Sequence, residues 1–375
     1  ASHHTQVPGA VVVRRPELLS DARLLAPASG LDYVGTLADY FTSFREELNM
    51  SSTSVLKQGA MWKVGKFLTA VDKNQSMAGR YLSVYNAMGG PKVAGRYPRK
   101  EGYEPVPAVA SFADVYVSGL GFIFNKKARV FLATKLCESE KLARKYKATR
   151  PQHARRLGKA VVLTQQWGTG YFHFLIEALP RLMLVLDMVL GDPAIKVSCV
   201  CVFGRRRTYI LQLLELLGVG SGQVVFVGQK EAVHADLAIV PESTPCGLPN
   251  NGPTLLLRSA LLRALYPDTQ GVPPPQFWCV LKYVQFTGGK RASLTPNHPQ
   301  VRDTLARRFP HFKVVEHRGS GSMRHQLQLF AGASAVVAPH GAGLANTIVS
   351  PIHTPVVEIG PAGCTPCYLH LSVKV

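Results

Sequence analysis

From residue 112 onward, short apolar runs alternate with stretches in which apolar positions recur every three to four residues. Runs at 114–117, 130–132, 160–163, 195–203, 224–227 and 232–240 predict strands, and patterns at 171–190, 207–217 and 253–265 predict helices. The first two runs flank a Gly119-Leu-Gly121 turn; from 160 onward strand and helix in regular succession predict parallel strands joined by crossover helices, hence a doubly wound α/β unit. At Gly271-Val-Pro-Pro-Pro275 the rhythm stops, because a triple proline continues neither a helix nor a central strand, and a stiff linker is expected. It resumes with strands at 277–281, 312–315, 335–338 and 356–359, and helices at 299–308 and 323–331. The chain thus divides into an irregular N-terminal segment (1–110), a first Rossmann-like lobe (111–270) and a second (271–375). Open α/β sheets bind ligands beyond the carboxyl ends of their strands, so the chemistry is expected where the two lobes face each other.

Composition narrows the class. With 375 residues, 46% hydrophobic and 18% charged, the chain can bury sizeable cores, which excludes a disordered protein or a small stapled scaffold. The longest oily stretch, 172–190, is interrupted by His173, Glu177, Arg181 and Asp187, so no segment of this chain reads as a membrane span. The chain begins at Ala1 rather than Met, which leaves room for a leader or anchor ahead of this numbering. The net charge of +20 predicts attraction to anions: phosphates, sulfated glycans, nucleic acid or acidic membrane. Half of it lies in 126–159, where twelve Lys or Arg face only Glu138 and Glu140. That run reads as a solvated face or as a polyanion-steering one. It carries no recognition motif and no aromatic interleaving beyond Tyr146, so nucleic acid is not an expected partner. Seven cysteines leave at least one unpaired within the chain, and Cys364-Thr-Pro-Cys367 alone is a poor zinc site. Asn49-Met-Ser51 and Asn74-Gln-Ser76 would be glycosylated in a secretory lumen.

Two segments carry chemistry. In residues 335–346 (AVVAPHGAGLAN) a buried strand runs into His340, then Gly341-Ala342-Gly343, then a helix starting near Leu344. Free amides and the positive end of a helix dipole suit a phosphate there, with His340 donating to it. The other reading is a tight glycine turn with a packed histidine. Glu358 ends the following strand and could accept from ribose hydroxyls, or be an ordinary strand-end acid. In residues 167–181 (WGTGYFHFLIEALPR), His173, Glu177 and Arg181 are spaced four apart and share one face of an otherwise apolar helix. Polar groups so placed line a cavity or satisfy one another. Glu177 is a candidate general base toward a hydroxyl, and the competing reading is a Glu177–Arg181 ion pair with His173 capping the helix. No Walker loop or D-x-D is present, and Glu138-Ser-Glu140 lies outside the expected cleft, so no metal site is expected.

Together, W-x-x-x-Y-F-H-x-L-x-E-x-L-P-R-L (167–182) and Q-x-x-L-F-A-x-A-x-x-V-V-A-P-H-G-A-G-L-A-N (326–346), followed by Val356-Val-Glu-Ile359, resemble glycosyltransferase family 61 over about 112–371. The resemblance implies a GT-B fold, an inverting mechanism without cofactor or metal, a UDP-sugar donor and a glycan or glycoprotein acceptor. It also implies residence in the ER or Golgi lumen as a type II membrane protein, anchored through a segment absent from this chain. Xylose, another pentose or GlcNAc is the expected sugar. Carried over by position, Glu177 is the base and His173 orients it or the acceptor. The loop His340, Gly341, Ala342, Gly343, Leu344 with Asn346 and Glu358 holds the departing UDP. Family members carry Ser-Arg after the first strand of the second lobe and an Asn-Glu pair further on. This chain reads Val280-Leu-Lys-Tyr283 and Leu294-Thr-Pro-Asn-His298 instead, leaving Lys282 or Arg291 as substitute phosphate ligands. The departure keeps a rival open: a non-catalytic polyanion- or glycan-binding protein on a decayed transferase fold. The disulfide pairs to examine in a lumenal protein are Cys364 with Cys367 or with Cys279.

Overall fold

The computed structural model describes residues 109–124, 129–131, 153–200, 205–241, 247, 249, 251–273, 279–284, 298–317, 319–352, 354–359 and 367–374. Residues 1–108 of the N-terminal segment, both sequons, most of the basic run, Cys364 and Arg291 lie outside them, and the last two residues of that segment, Val109 and Ala110, belong to a strand rather than to irregular chain. Within them the protein is a mixed α/β structure built on two sheets.

The first sheet has seven strands in the order β3-β2-β1-β7-β4-β5-β6. Its parallel half comprises β4 (Arg156–Val162), β5 (Ile195–Val200), β6 (Val224–Val227) and β7 (Ala232–Pro241). The flank is antiparallel: β1 (Val109–Ser118) runs against β7, then β2 (Phe122–Phe124) and β3 (Arg129–Phe131) follow. The strands expected at 114–117 and 130–132, around the Gly119-Leu-Gly121 turn, are β1 and β3 of this flank, ahead of the alternation that predicts parallel strands. Three residues join β1 to β2, enough for a hairpin but far short of a crossover. The second sheet is parallel throughout, in the order β11-β10-β8-β9, from β8 (Cys279–Val284), β9 (Phe312–His317), β10 (Ala335–Pro339) and β11 (Val356–Ile359).

The predicted helix at 171–190 is three pieces. His173–Ala178 is π-helical, α1 is Leu179–Leu182 and α2 is Leu186–Gly191. The Leu179 amide bonds the Phe174 carbonyl, five residues back, immediately before Pro180, which has no amide to continue a regular ladder. The remaining helices are α3 (Arg205–Leu216), α4 (Asn251–Leu265), α5 (His298–Arg308), α6 (Met323–Ala331) and α7 (Cys367–Lys374), and the chain after β10 forms a 3-10 helix at Ala342–Val349. No helix among the described residues is long and apolar enough to cross a membrane.

One apolar core runs between the sheets. It joins Val161 and Leu163 at the end of β4, Leu175 and Leu179 of the broken helix, Leu213 of α3 and Leu257 and Leu261 of α4 to Leu327 and Phe330 of α6, Leu344, Ile348 and Leu371. Polar bonds follow the same path: the Met323 amide donates to Gln212 Oε1 of α3 at 2.8 Å, and Arg258 of α4 donates to the Ile348 carbonyl at 2.7 Å. A separate cluster of Phe112, Val115, Val117, Val225 and Val240 covers the other face of the first sheet. Shared burial therefore holds the loop after β4 against the loop after β10.

Candidate active site

Glu177 lies on the π-helical turn and is 2% exposed. A buried carboxylate must be matched by donors, and this one has three. Gln165 Nε2 donates to Oε2 at 2.9 Å, His173 Nδ1 lies 2.9 Å from the same oxygen, and the Gly247 amide donates to Oε1 at 2.8 Å. These groups come from the ends of two adjacent parallel strands: Gln165 follows β4, and Gly247 follows β7. An ionised carboxylate only accepts, so the imidazole donates through Nδ1–H and its Nε2 is the nitrogen left to accept a proton. The His173 side chain is 26% exposed against 3% for Glu177, so a ligand entering from solvent meets the imidazole first.

Arg181 is 1% exposed and does not displace this arrangement. It donates to the Pro241 carbonyl (3.2 Å), the Val162 carbonyl (2.8 Å) and Gln165 Oε1 (3.1 Å), so the Gln165 amide stands between guanidinium and carboxylate. The alternative in which Glu177 is spent on Arg181 and His173 on a cap is not the arrangement found. Gly170 is required by close approach: a Cβ there would lie 3.0 Å from His173 Cδ2 and 3.2 Å from the Trp167 carbonyl.

The second sheet repeats the device. His340 follows β10 directly, its amide bonds the Ile359 carbonyl at 2.7 Å, and its Nδ1 lies 2.5 Å from Glu358 Oε1 of β11. Glu358 was expected to face a ribose; its Oε1 instead holds His340, which directs Nε2 away from the strand. The amides that open the following 3-10 helix, from Ala342, have no intrahelical acceptor.

The two clusters converge. Tyr171 Oη donates to Asn346 Oδ1, and burial pushes this phenol well above its ordinary range. Asn346 is 1% exposed and its Nδ2 has no partner, a donor held ready at the junction. Phe172 packs edge-on against His173 (ring centroids 5.6 Å) and Tyr368 (5.3 Å), and Tyr368 against His340 (5.2 Å). Cys367 opens α7 at this seam. Burial, then Glu358, then Glu177 push its thiol up to about 12. It is a free thiol, so the Cys364–Cys367 pairing is not formed.

Thus His173, Glu177, His340, Asn346 and Glu358 come together, with Gly341, Ala342, Gly343 and Leu344 in the loop between them. Lys282 does not join them through the backbone. Its register partner on β10 is Val336, four residues before His340, or about 13 Å along the strands. In the basic run, Arg156 pairs with Asp236 at 2.7 Å and Lys159 with Asp192 at 3.0 Å, both exposed, as solvated ion pairs. No group of three or more His, Cys, Asp or Glu among the described residues is arranged to hold a metal ion. Sequence reasoning missed Gln165, Gly247 and Tyr368, and it took Cys367 only as a zinc or disulfide candidate. Of the three missed, only Gln165 left a signal, as a polar residue shortly after a buried strand.

Residues 171–357, about half of the chain, match the family model described as Glycosyltransferase 61. No curated protein matches the chain.

Proposed function

Because the chain belongs to glycosyltransferase family 61, we propose that it moves a sugar from a UDP-sugar to a hydroxyl of a glycan or glycoprotein, with inversion at the anomeric carbon. Xylose, another pentose or GlcNAc is the sugar. The two sheets are the two lobes of a GT-B fold, and the chain works in the ER or Golgi lumen, consistent with the sequons at Asn49 and Asn74.

The observation that carries this reading is the convergence of two histidine–carboxylate pairs. The acceptor O–H gives its proton to His173 Nε2 while its oxygen attacks the anomeric carbon from the face opposite UDP. Glu177 fixes the tautomer and stabilises the imidazolium that forms, a division of labour known from hydrolytic triads. The expectation made Glu177 itself the base; at 2% exposure and with three donors it is less accessible than His173, which favours the imidazole in that role. The breaking bond leaves its electron pair on a β-phosphate oxygen. His340 Nε2 and the amides of Gly341, Ala342 and Gly343 receive that charge, and Asn346 Nδ2 donates nearby. Stabilisation aimed at developing charge is the usual largest contribution to such catalysis, and it requires no metal.

The experiment is turnover of UDP-xylose, UDP-arabinose and UDP-GlcNAc by the purified chain, with and without EDTA, alongside UDP binding by calorimetry. Transfer or slow donor hydrolysis that EDTA leaves unchanged is expected. Binding of UDP without turnover of any donor would move the chain to the non-catalytic reading, and an EDTA-sensitive rate would end the metal-free one.

A further inference from the structure

We propose that Trp167 is the platform on which the acceptor's terminal sugar ring stacks, so that the acceptor is a glycan end rather than a protein side-chain hydroxyl. This inference rests on the transferase reading above. Trp167 opens the 167–182 segment that resembles the family and lies four residues ahead of the stretch matched by the family model.

Four observations carry it. Trp167 is 52% exposed, an apolar surface that folding leaves in water. Its φ is +61°, in the left-handed region that a bulky residue avoids. The Gly168 amide bonds the Gln165 carbonyl at 3.1 Å, so Trp167 is the third residue of a four-residue turn, where positive φ favours glycine. Strain kept at a surface position, where burial gives nothing back, points to function. The turn also belongs to the catalytic cluster. Gln165, two residues before, holds Glu177, and the Gly170 amide bonds the Trp167 carbonyl at 2.7 Å. Gly170 in turn leaves the space against which the His173 ring lies. One short loop thus fixes the base through Gln165 and Gly170 and presents an indole to solvent six residues before His173. A pyranose has an apolar face of C–H groups and a polar rim of hydroxyls. A flat indole takes the face out of water and leaves the rim free to reach His173 Nε2.

The test uses the full chain with UDP bound, titrated with methyl glycosides of mannose, galactose, glucose and xylose and with a Ser/Thr peptide. Trp167→Gly, Trp167→Ala and Trp167→Phe are compared with the unaltered chain. At least one glycoside should change the tryptophan fluorescence, and the change should vanish in Trp167→Phe, which still binds the glycoside by NMR saturation transfer. Trp167→Gly and Trp167→Ala should weaken that binding at least tenfold and raise the KM of a glycoside acceptor as much, with UDP affinity within twofold. Trp167→Gly should also raise the Tm, because it relieves the turn, so a loss of binding there is not a loss of fold. Equal glycoside affinity in all variants, or Trp167-dependent binding of the peptide alone, overturns the proposal. Absence of UDP binding and donor hydrolysis in the unaltered chain would instead remove the transferase reading, leaving any Trp167-dependent glycoside binding in place.

Discussion

Each histidine of the site is given one nitrogen to use. Glu177 and Glu358 take Nδ1 of His173 and His340, which leaves Nε2 as the nitrogen not so engaged in both cases. Such control is sensitive to small displacements, which makes Gly170 informative. Gly170→Ala puts a Cβ 3.0 Å from the imidazole, so the ring must shift by tenths of an ångström. Transfer should fall tenfold or more while UDP affinity stays within twofold, read from kcat and from calorimetry. Unchanged kcat would mean that the His173 position is not critical. The buried thiols make a second residue-scale prediction. Cys367 and Cys199 are both pushed from 9.0 up to about 12, chiefly by burial. The unfolded chain therefore releases these protons first, and each thiol lowers stability as pH rises between about 9 and about 12, by at most about 1.4 kcal/mol per pH unit. Denaturant midpoints across that window should drop less steeply in Cys199→Ala and Cys367→Ala than in the unaltered chain. Parallel slopes would contradict the assignment.

Elements decide which residues can meet, and here the reading from sequence was uneven. Strands at 224–227 and 356–359 and the helix at 323–331 stand where the pattern put them, because each is short and bounded by turn residues. The spacing of four between His173 and Glu177 was legible because neighbours on a helix face share a side, and a π-turn preserves their contact. Gln165 and Gly247 were not legible as partners of Glu177, since what unites them is the side-by-side pairing of β4 and β7, a relation without local period. The strand end of Glu358 was evident, but its 2.5 Å contact with His340 was not, because that depends on the register of β10 with β11. The broken helix also ties the two loops together through Tyr171. Tyr171→Phe leaves Asn346 Oδ1 without its donor in a buried place, which costs about 1–3 kcal/mol. Urea denaturation should show that loss together with weaker UDP binding, because the Asn346 amide is no longer held. Loss of stability with unaltered UDP affinity would confine Tyr171 to a structural role.

At the scale of the molecule, the two sheets share a core, and the paired histidines stand at the carboxyl ends of β4 and β10 on either side of it. Strand–helix alternation made the mixed α/β class readable, whereas the core shared by the two sheets was not, because it is built from residues as distant as Leu175 and Leu371. In the proposed reaction one pair handles the acceptor proton and the other the leaving nucleotide. The direct measurement is transfer and UDP binding in His173→Ala, Glu177→Gln and His340→Ala. The first two should lose transfer by a hundredfold or more and keep UDP affinity, and His340→Ala should lose UDP affinity as well as transfer. Loss of UDP binding in Glu177→Gln at unchanged Tm, or normal transfer in His173→Ala, would contradict it.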